Sequence, residues 1–98
     1  MRSFYSEYVQ HCMKFYARHP HVSKFRSEAD KNNWYACNSV MQHLPEAERE
    51  ILLAVYRERD TIGDNVYKVA KERKINQDII WKLITDLEHK IAHRRGLI

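Results

Sequence analysis

Apolar residues recur three and four positions apart along most of the chain, which is the period of a helix and not of a strand. Phe4, Tyr8, Cys12 and Phe15, with Tyr5, Val9 and Tyr16 beside them, predict a first helix over 3–18 that buries this stripe. Ser3 is placed to cap it, and Pro20 prevents its continuation. A second helix begins after Ser27, with Glu28 and Asp30 in its first turn, and ends near His43. Trp34, Cys37, Val40, Met41 and Leu44 supply its apolar face, leaving Asn32, Asn33 and Asn38 for solvent or buried hydrogen bonds. Pro45 suits the first turn of a third helix over 45–58, where Glu46, Glu48 and Glu50 favour the positive end of the helix dipole. Ile51, Leu52, Val55 and Tyr56 are its buried face. The pattern breaks over 57–63, and Asp64 is the expected cap of a fourth helix over 65–74. A turn at 75–76 leads into a fifth helix over 77–95, ending before Gly96.

These elements make the expected fold all-α, with about five helices, and the composition agrees. Two Gly and two Pro in 98 residues are too few for a β-rich fold, which needs frequent turns. The 44% hydrophobic content, with 11% aromatic residues, is enough for one core. A single domain is expected, with 1–43 as a helical scaffold and 44–98 carrying the functional argument. Cys12 and Cys37 stand alone, without a paired framework, which implies a reducing, cytoplasmic setting. No apolar run approaches the roughly 20 residues of a membrane span. The formal net charge of +4 is unevenly spread: +4 over 1–27, −3 over 28–63 and +3 over 64–98. Basic ends and an acidic middle suit a chain whose outer thirds face phosphate.

Within the basic last third, 66–85 reads as a helix-turn-helix. Ala70 provides the small residue at the tight crossing, Val69 and Ile75 fill the corner, and Ile80 and Leu83 point back from the second helix. The face opposite Ile80, Leu83, Ile84, Leu87 and Ile91 carries Gln77, Asp78, Trp81, Lys82 and Thr85, with Asn76 at the helix start; these are the candidates for contacts to base edges. Gln bonds adenine bidentately, Lys reaches guanine acceptors, and Thr offers a methyl to thymine. Lys68, Lys71, Arg73, Lys74, Lys90, Arg94 and Arg95 are the phosphate-contact candidates, because they are long cations flanking that face. Asp78 repels phosphate, and Trp81 has three expected locations: against the N-terminal helices, at a protein interface or at DNA.

The segments LPEAEREILLAVY (44–56) and NVYKVAKERKINQDIIWKLITDLEHKIAHRRGL (65–97) resemble region 4 of bacterial sigma-70 factors over about the last 55 residues. Leu44, Pro45, Arg49 and Glu50 match the opening of that family's Leu-Pro-x-x-x-Arg-Glu-x-x-x-Leu helix, and Ile51 and Leu52 continue its apolar stripe. Val69, Ala70 and Ile75 match the first helix and turn of its helix-turn-helix, and Ile80 the recognition helix. The chain departs from the family at Lys74, where a turn glycine is common, at Asp78 and Trp81, and in having no region 2. The two helices before the Leu-Pro motif are similar to those of small regulators from phage and mobile elements. The resemblance therefore implies a single-domain bacterial or phage transcription regulator, with double-stranded DNA and RNA polymerase as partners.

Other chemistry finds less support in the sequence. His89 and His93 have the i, i+4 spacing of a metal pair, but no third ligand is near in sequence, so no metal and no cofactor is expected. No nucleophile elbow, phosphate-cradling glycine loop or framed carboxylate pair appears, so no enzymatic activity is expected. The competing expectation is a helical protein-interaction module. It would bind a partner, RNA polymerase or a second copy of the chain through Ile79, Trp81 and the aromatics of the first helix. Reading a palindrome would also require a homodimer.

Overall fold

The computed structural model describes residues 4–22 and 24–98. Among these the chain forms five α-helices and no strand: α1 (Ser6–Arg18), α2 (Glu28–Gln42), α3 (Glu46–Arg57), α4 (Ile62–Arg73) and α5 (Gln77–Arg94). All five contribute to one buried cluster, which runs from Val9 and Met13 through Met41, Leu52 and Val66 to Ile80, Leu87 and Ile91. Sharing one core matters at this length, because none of these amphipathic helices can bury its stripe alone.

Local chemistry sets the helix ends. The Ser27 hydroxyl accepts the Asp30 N–H at 3.2 Å and caps α2, as the sequence predicts. The start of α4 differs from expectation. Thr61, not Asp64, is the cap: its Oγ1 accepts the Asp64 N–H, and the helix begins at Ile62, taking in Gly63. The reason is spacing, since Thr61-Ile-Gly-Asp64 places the hydroxyl three residues before an acidic residue in the first turn. Pro45 precedes the first residue of α3 as its cap position, and Arg49 Nη2 donates to the Leu44 carbonyl at 3.4 Å, pinning the Leu-Pro corner. The expected Ser3 cap lies outside the described residues.

The stripe of α1 is also rotated from the expected one. Tyr5, Val9, Cys12, Met13, Tyr16 and Ala17 are buried, whereas Phe4 is 81% exposed, Tyr8 is exposed and Phe15 is half-buried. The aromatics that do pack join α1 to α2: Tyr16 lies 5.3 Å from Trp34, whose indole N–H donates to the His19 carbonyl at 2.9 Å. The Tyr16 hydroxyl donates to Asn38 Oδ1 at 2.8 Å.

Two buried polar clusters fix the remaining helices. Asn65 is 1% exposed, and its amide nitrogen faces the carbonyls of Val55, Glu58 and Asp60 at 3.0 to 3.2 Å. It thereby closes the link between α3 and α4. Glu88, on the inner side of α5, accepts from the Ser6 hydroxyl at 2.8 Å and from the Tyr56 hydroxyl at 3.4 Å, tying α1 and α3 to α5. Burial first, and then the adjoining Glu88 carboxylate, hold the Tyr56 phenol well above its usual range, so it remains a donor.

Candidate nucleic-acid interface

Residues 74–76 join α4 to α5, and their conformation explains how two helices meet so abruptly. Lys74 is left-handed (φ 57, ψ 46), and the Ile75 N–H donates to the Ala70 carbonyl at 3.0 Å, closing the end of α4. That is the position at which the family pattern has glycine. A lysine there costs about 1–2 kcal/mol of backbone strain. Asn76 then caps α5, with its Oδ1 accepting the Asp78 N–H at 2.8 Å. Ala70 and Val69 are buried and Ile75 is half-buried at the corner, as the sequence predicts.

Ile80, Ile84, Leu87, Glu88, Ile91 and Ala92 are the buried positions of α5. At about 100° per residue, Asp78, Lys82, Thr85, His89 and His93 lie away from that stripe, and all five are exposed. Of the base-reading candidates, Asp78, Lys82 and Thr85 therefore share the outward line, and Gln77 is exposed in the first turn. Asn76 is exposed, but its side-chain oxygen is used by the cap, which leaves the amide nitrogen to donate. Trp81 is 38% exposed and lies to one side of this line.

That side is a cleft of about 800 Å³ between α1, the start of α4 and α5. Glu7, Gln10, His11 and Lys14 line it from α1, Thr61, Ile62 and Gly63 from the cap and first turn of α4, and Trp81, Thr85 and Glu88 from α5. A ligand approaching Thr85 thus also meets α1. Trp81 shares this cleft with α1 and remains exposed to solvent.

The phosphate-contact candidates divide by environment. Lys68 pairs with Glu58 at 3.2 Å, and that hydrogen bond raises its pKa. Arg95 is half-buried and donates from Nε to Asn33 Oδ1 at 2.6 Å, in a chain that also includes the Tyr8 hydroxyl. These two cations have intramolecular roles to relinquish before meeting a phosphate. Lys71 and Lys74 are exposed, while exposed Arg73 faces a shallow depression shared with Glu46 and Glu50. Lys90 and Arg94 lie on the flank of α5 opposite Trp81. There they line a groove of about 310 Å³ with Val40, His43, Leu44, His89 and His93.

Three residues escaped the sequence reading. Glu88 is one helical turn from Ile84 on the buried stripe, so a helical wheel flags a carboxylate among apolar neighbours. Asn65 carries no sequence signal for its three carbonyl contacts. His43 is far along the chain from His89, and only the packing of α2 on α5 brings them to one groove.

Among the described residues, no group of three or more His, Cys, Asp or Glu side chains is placed to hold a metal ion. Burial pushes the Cys12 thiol up to about 11 and that of Cys37 higher still, so neither is a ready thiolate nucleophile. No described helix is long and apolar enough to cross a membrane. Comparison with protein-family models, with curated proteins and with solved structures finds no match for this chain.

Proposed function

We propose that this chain is a sequence-specific transcription regulator that binds double-stranded DNA in the manner of sigma region 4. In this reading α4, the 74–76 turn and α5 act as the helix-turn-helix, and RNA polymerase is a second partner. The observation that carries the reading is the abrupt Lys74–Asn76 junction, which presents the front of α5 to solvent with Gln77, Asp78, Lys82 and Thr85 exposed. A helix displayed by its N-terminal half is the geometry that fits a major groove. Lys71 and Lys74 beside it are free to take phosphates, and Asp78 makes the face selective by repelling a misplaced backbone. The chain is expected to work in the cytoplasm of a bacterium, including as the product of a phage or mobile element.

The test is duplex binding by fluorescence anisotropy. Lys82→Ala is expected to weaken binding on the order of 10-fold at low salt, because a lysine to guanine contact carries about 1–3 kcal/mol of discrimination. Lys71→Ala is expected to flatten the salt slope by about 1. Unchanged affinity in both variants, with unchanged circular dichroism, contradicts the assigned face.

A second reading, a protein-interaction module, is favoured by the exposure of Tyr67 (57%), Ile79 (54%) and Trp81 (38%). Ile79 and Trp81 lie on opposite sides of the outward line of α5, so they do not form one patch together. If this reading holds, Trp81→Ala abolishes association with a protein partner while Lys82→Ala leaves it intact.

A further inference from the structure

The groove between the end of α2 and the second half of α5 is rich in basic side chains. It holds five groups that are cationic or become so on protonation: His43, His89, Lys90, His93 and Arg94. Val40 and Leu44 form the rest of its lining, and no carboxylate lines it. His43 comes from the end of α2, and the other four groups come from α5. The α2–α5 seam continues past Arg94 into a depression that also contains Arg95 and the exposed Tyr35. Positive charge therefore runs along the seam beyond a single pocket.

The His43 ring is oriented by a backbone carbonyl. His43 Nδ1 lies 2.6 Å from the Ser39 carbonyl, which can only accept, so Nδ1 carries the hydrogen and Nε2 remains for the second proton. His89 and His93 are one turn apart on the same exposed face. Protonating all three would bring several positive charges together around a groove already flanked by Lys90 and Arg94. Without an anion that arrangement is unfavourable; an anion in the groove relieves it.

From this clustering we infer that the α2–α5 groove is a proton-gated site for the phosphate backbone of nucleic acid, extending the duplex contact beyond the front of α5. The inference rests on the proposed DNA-binding function for its ligand, but its chemistry is independent of base reading. Phosphodiesters keep their charge in mild acid while an imidazole gains one, so acidification adds attraction to the groove. By linkage, anion binding and proton uptake in the groove favour one another.

The experiment follows the ring carbon signals of all six histidines by NMR in the full chain at about pH 5.5 and about pH 7.5, which bracket the ordinary imidazole range. Sulfate is the probe because its charge is constant across the window. The expected result is that sulfate shifts His43, His89 and His93 at the lower pH only, leaving His11, His19 and His21 in place. Equal shifts in all six, or none in the three, overturn the inference. In a second arm, duplex affinity should rise on the order of 10-fold on acidification, with the salt slope steepening by about 0.9 per phosphate gained. The H43Q/H89Q/H93Q variant, all at exposed positions, should lose that rise and match the parent chain at the higher pH. A rise that survives in the variant overturns the assignment. A selective sulfate response without duplex binding at either pH overturns the nucleic-acid ligand and the proposed function together. Duplex binding without the pH effect overturns only the groove.

Discussion

The two flanks of α5 belong to one helix and face different surroundings. Toward α1, Trp81, Thr85 and Glu88 look into a cleft that also holds Glu7, His11 and Lys14, and the Glu88 carboxylate is 4% exposed and held by two hydroxyls. Toward α2, the groove lining carries cations and histidines and no carboxylate. On the first flank Glu88 is built into the core and positions the helix, while Trp81 and Thr85 stay exposed; the second flank is open and available to a polyanion. A surface cation costs little to display, whereas a buried carboxylate persists only if its hydrogen bonds are satisfied. Charge alone therefore does not separate structural from binding residues on this helix, and burial does.

The largest test strikes the stripe that both flanks share. Ile91→Ala removes a fully buried side chain between them and is expected to cost about 2–5 kcal/mol in denaturant unfolding, lowering the midpoint. A cost under about 1 kcal/mol would mean that the two flanks are not held by one core. Next, Glu88→Ala leaves the Ser6 and Tyr56 hydroxyls without their acceptor and should cost about 1–3 kcal/mol, with Glu88→Gln costing less because its amide oxygen still accepts from Ser6. Equal stability of Glu88→Ala and the parent chain would place Glu88 with the open flank instead. Smallest is Lys74→Gly, which relieves the left-handed strain at the turn and should stabilise the fold by about 1 kcal/mol in thermal unfolding. The same change removes a phosphate-contact candidate, so duplex affinity should fall while stability rises. Loss of stability would show that the Lys74 side chain holds the turn.

Much of this was legible in the sequence because helices announce themselves locally. The period of apolar positions placed five helices, and Ser27 marked the start of α2 through a hydroxyl three residues from the N–H it caps. The same rule, applied at Thr61, would have corrected the start of α4; Gly63 in the expected break drew the boundary too late. Periodicity did not fix which aromatics of α1 point inward. Phe4 and Phe15 fall within the helical pattern, yet it is Met13 and Ala17 that are buried where α1 meets α2, α3 and α5. The turn was readable through Ala70, Val69 and Ile75, and Lys74 adopts the left-handed conformation that the glycine of the family pattern would favour. Long-range meetings were not readable. Nothing in the chain near His43 indicates that it shares a groove with His89, nor near Ser6 that it bonds Glu88, since both depend on how α5 crosses the N-terminal pair. The intramolecular engagement of Lys68 and Arg95 belongs to the same class, because each cation's partner lies on another element or in a connecting segment.

The central claim is that the front of α5 reads DNA sequence. The most direct measurement is selection from a random pool of short duplexes at a lower and a higher salt concentration, with sequencing of what the protein retains at the higher one. Sequence-specific recognition predicts enrichment of a defined motif that persists at higher salt and is altered by Gln77→Ala or Lys82→Ala. Retention that vanishes with salt and enriches no motif, or no retention at all, would contradict it and leave α5 with a basic surface but no reading function.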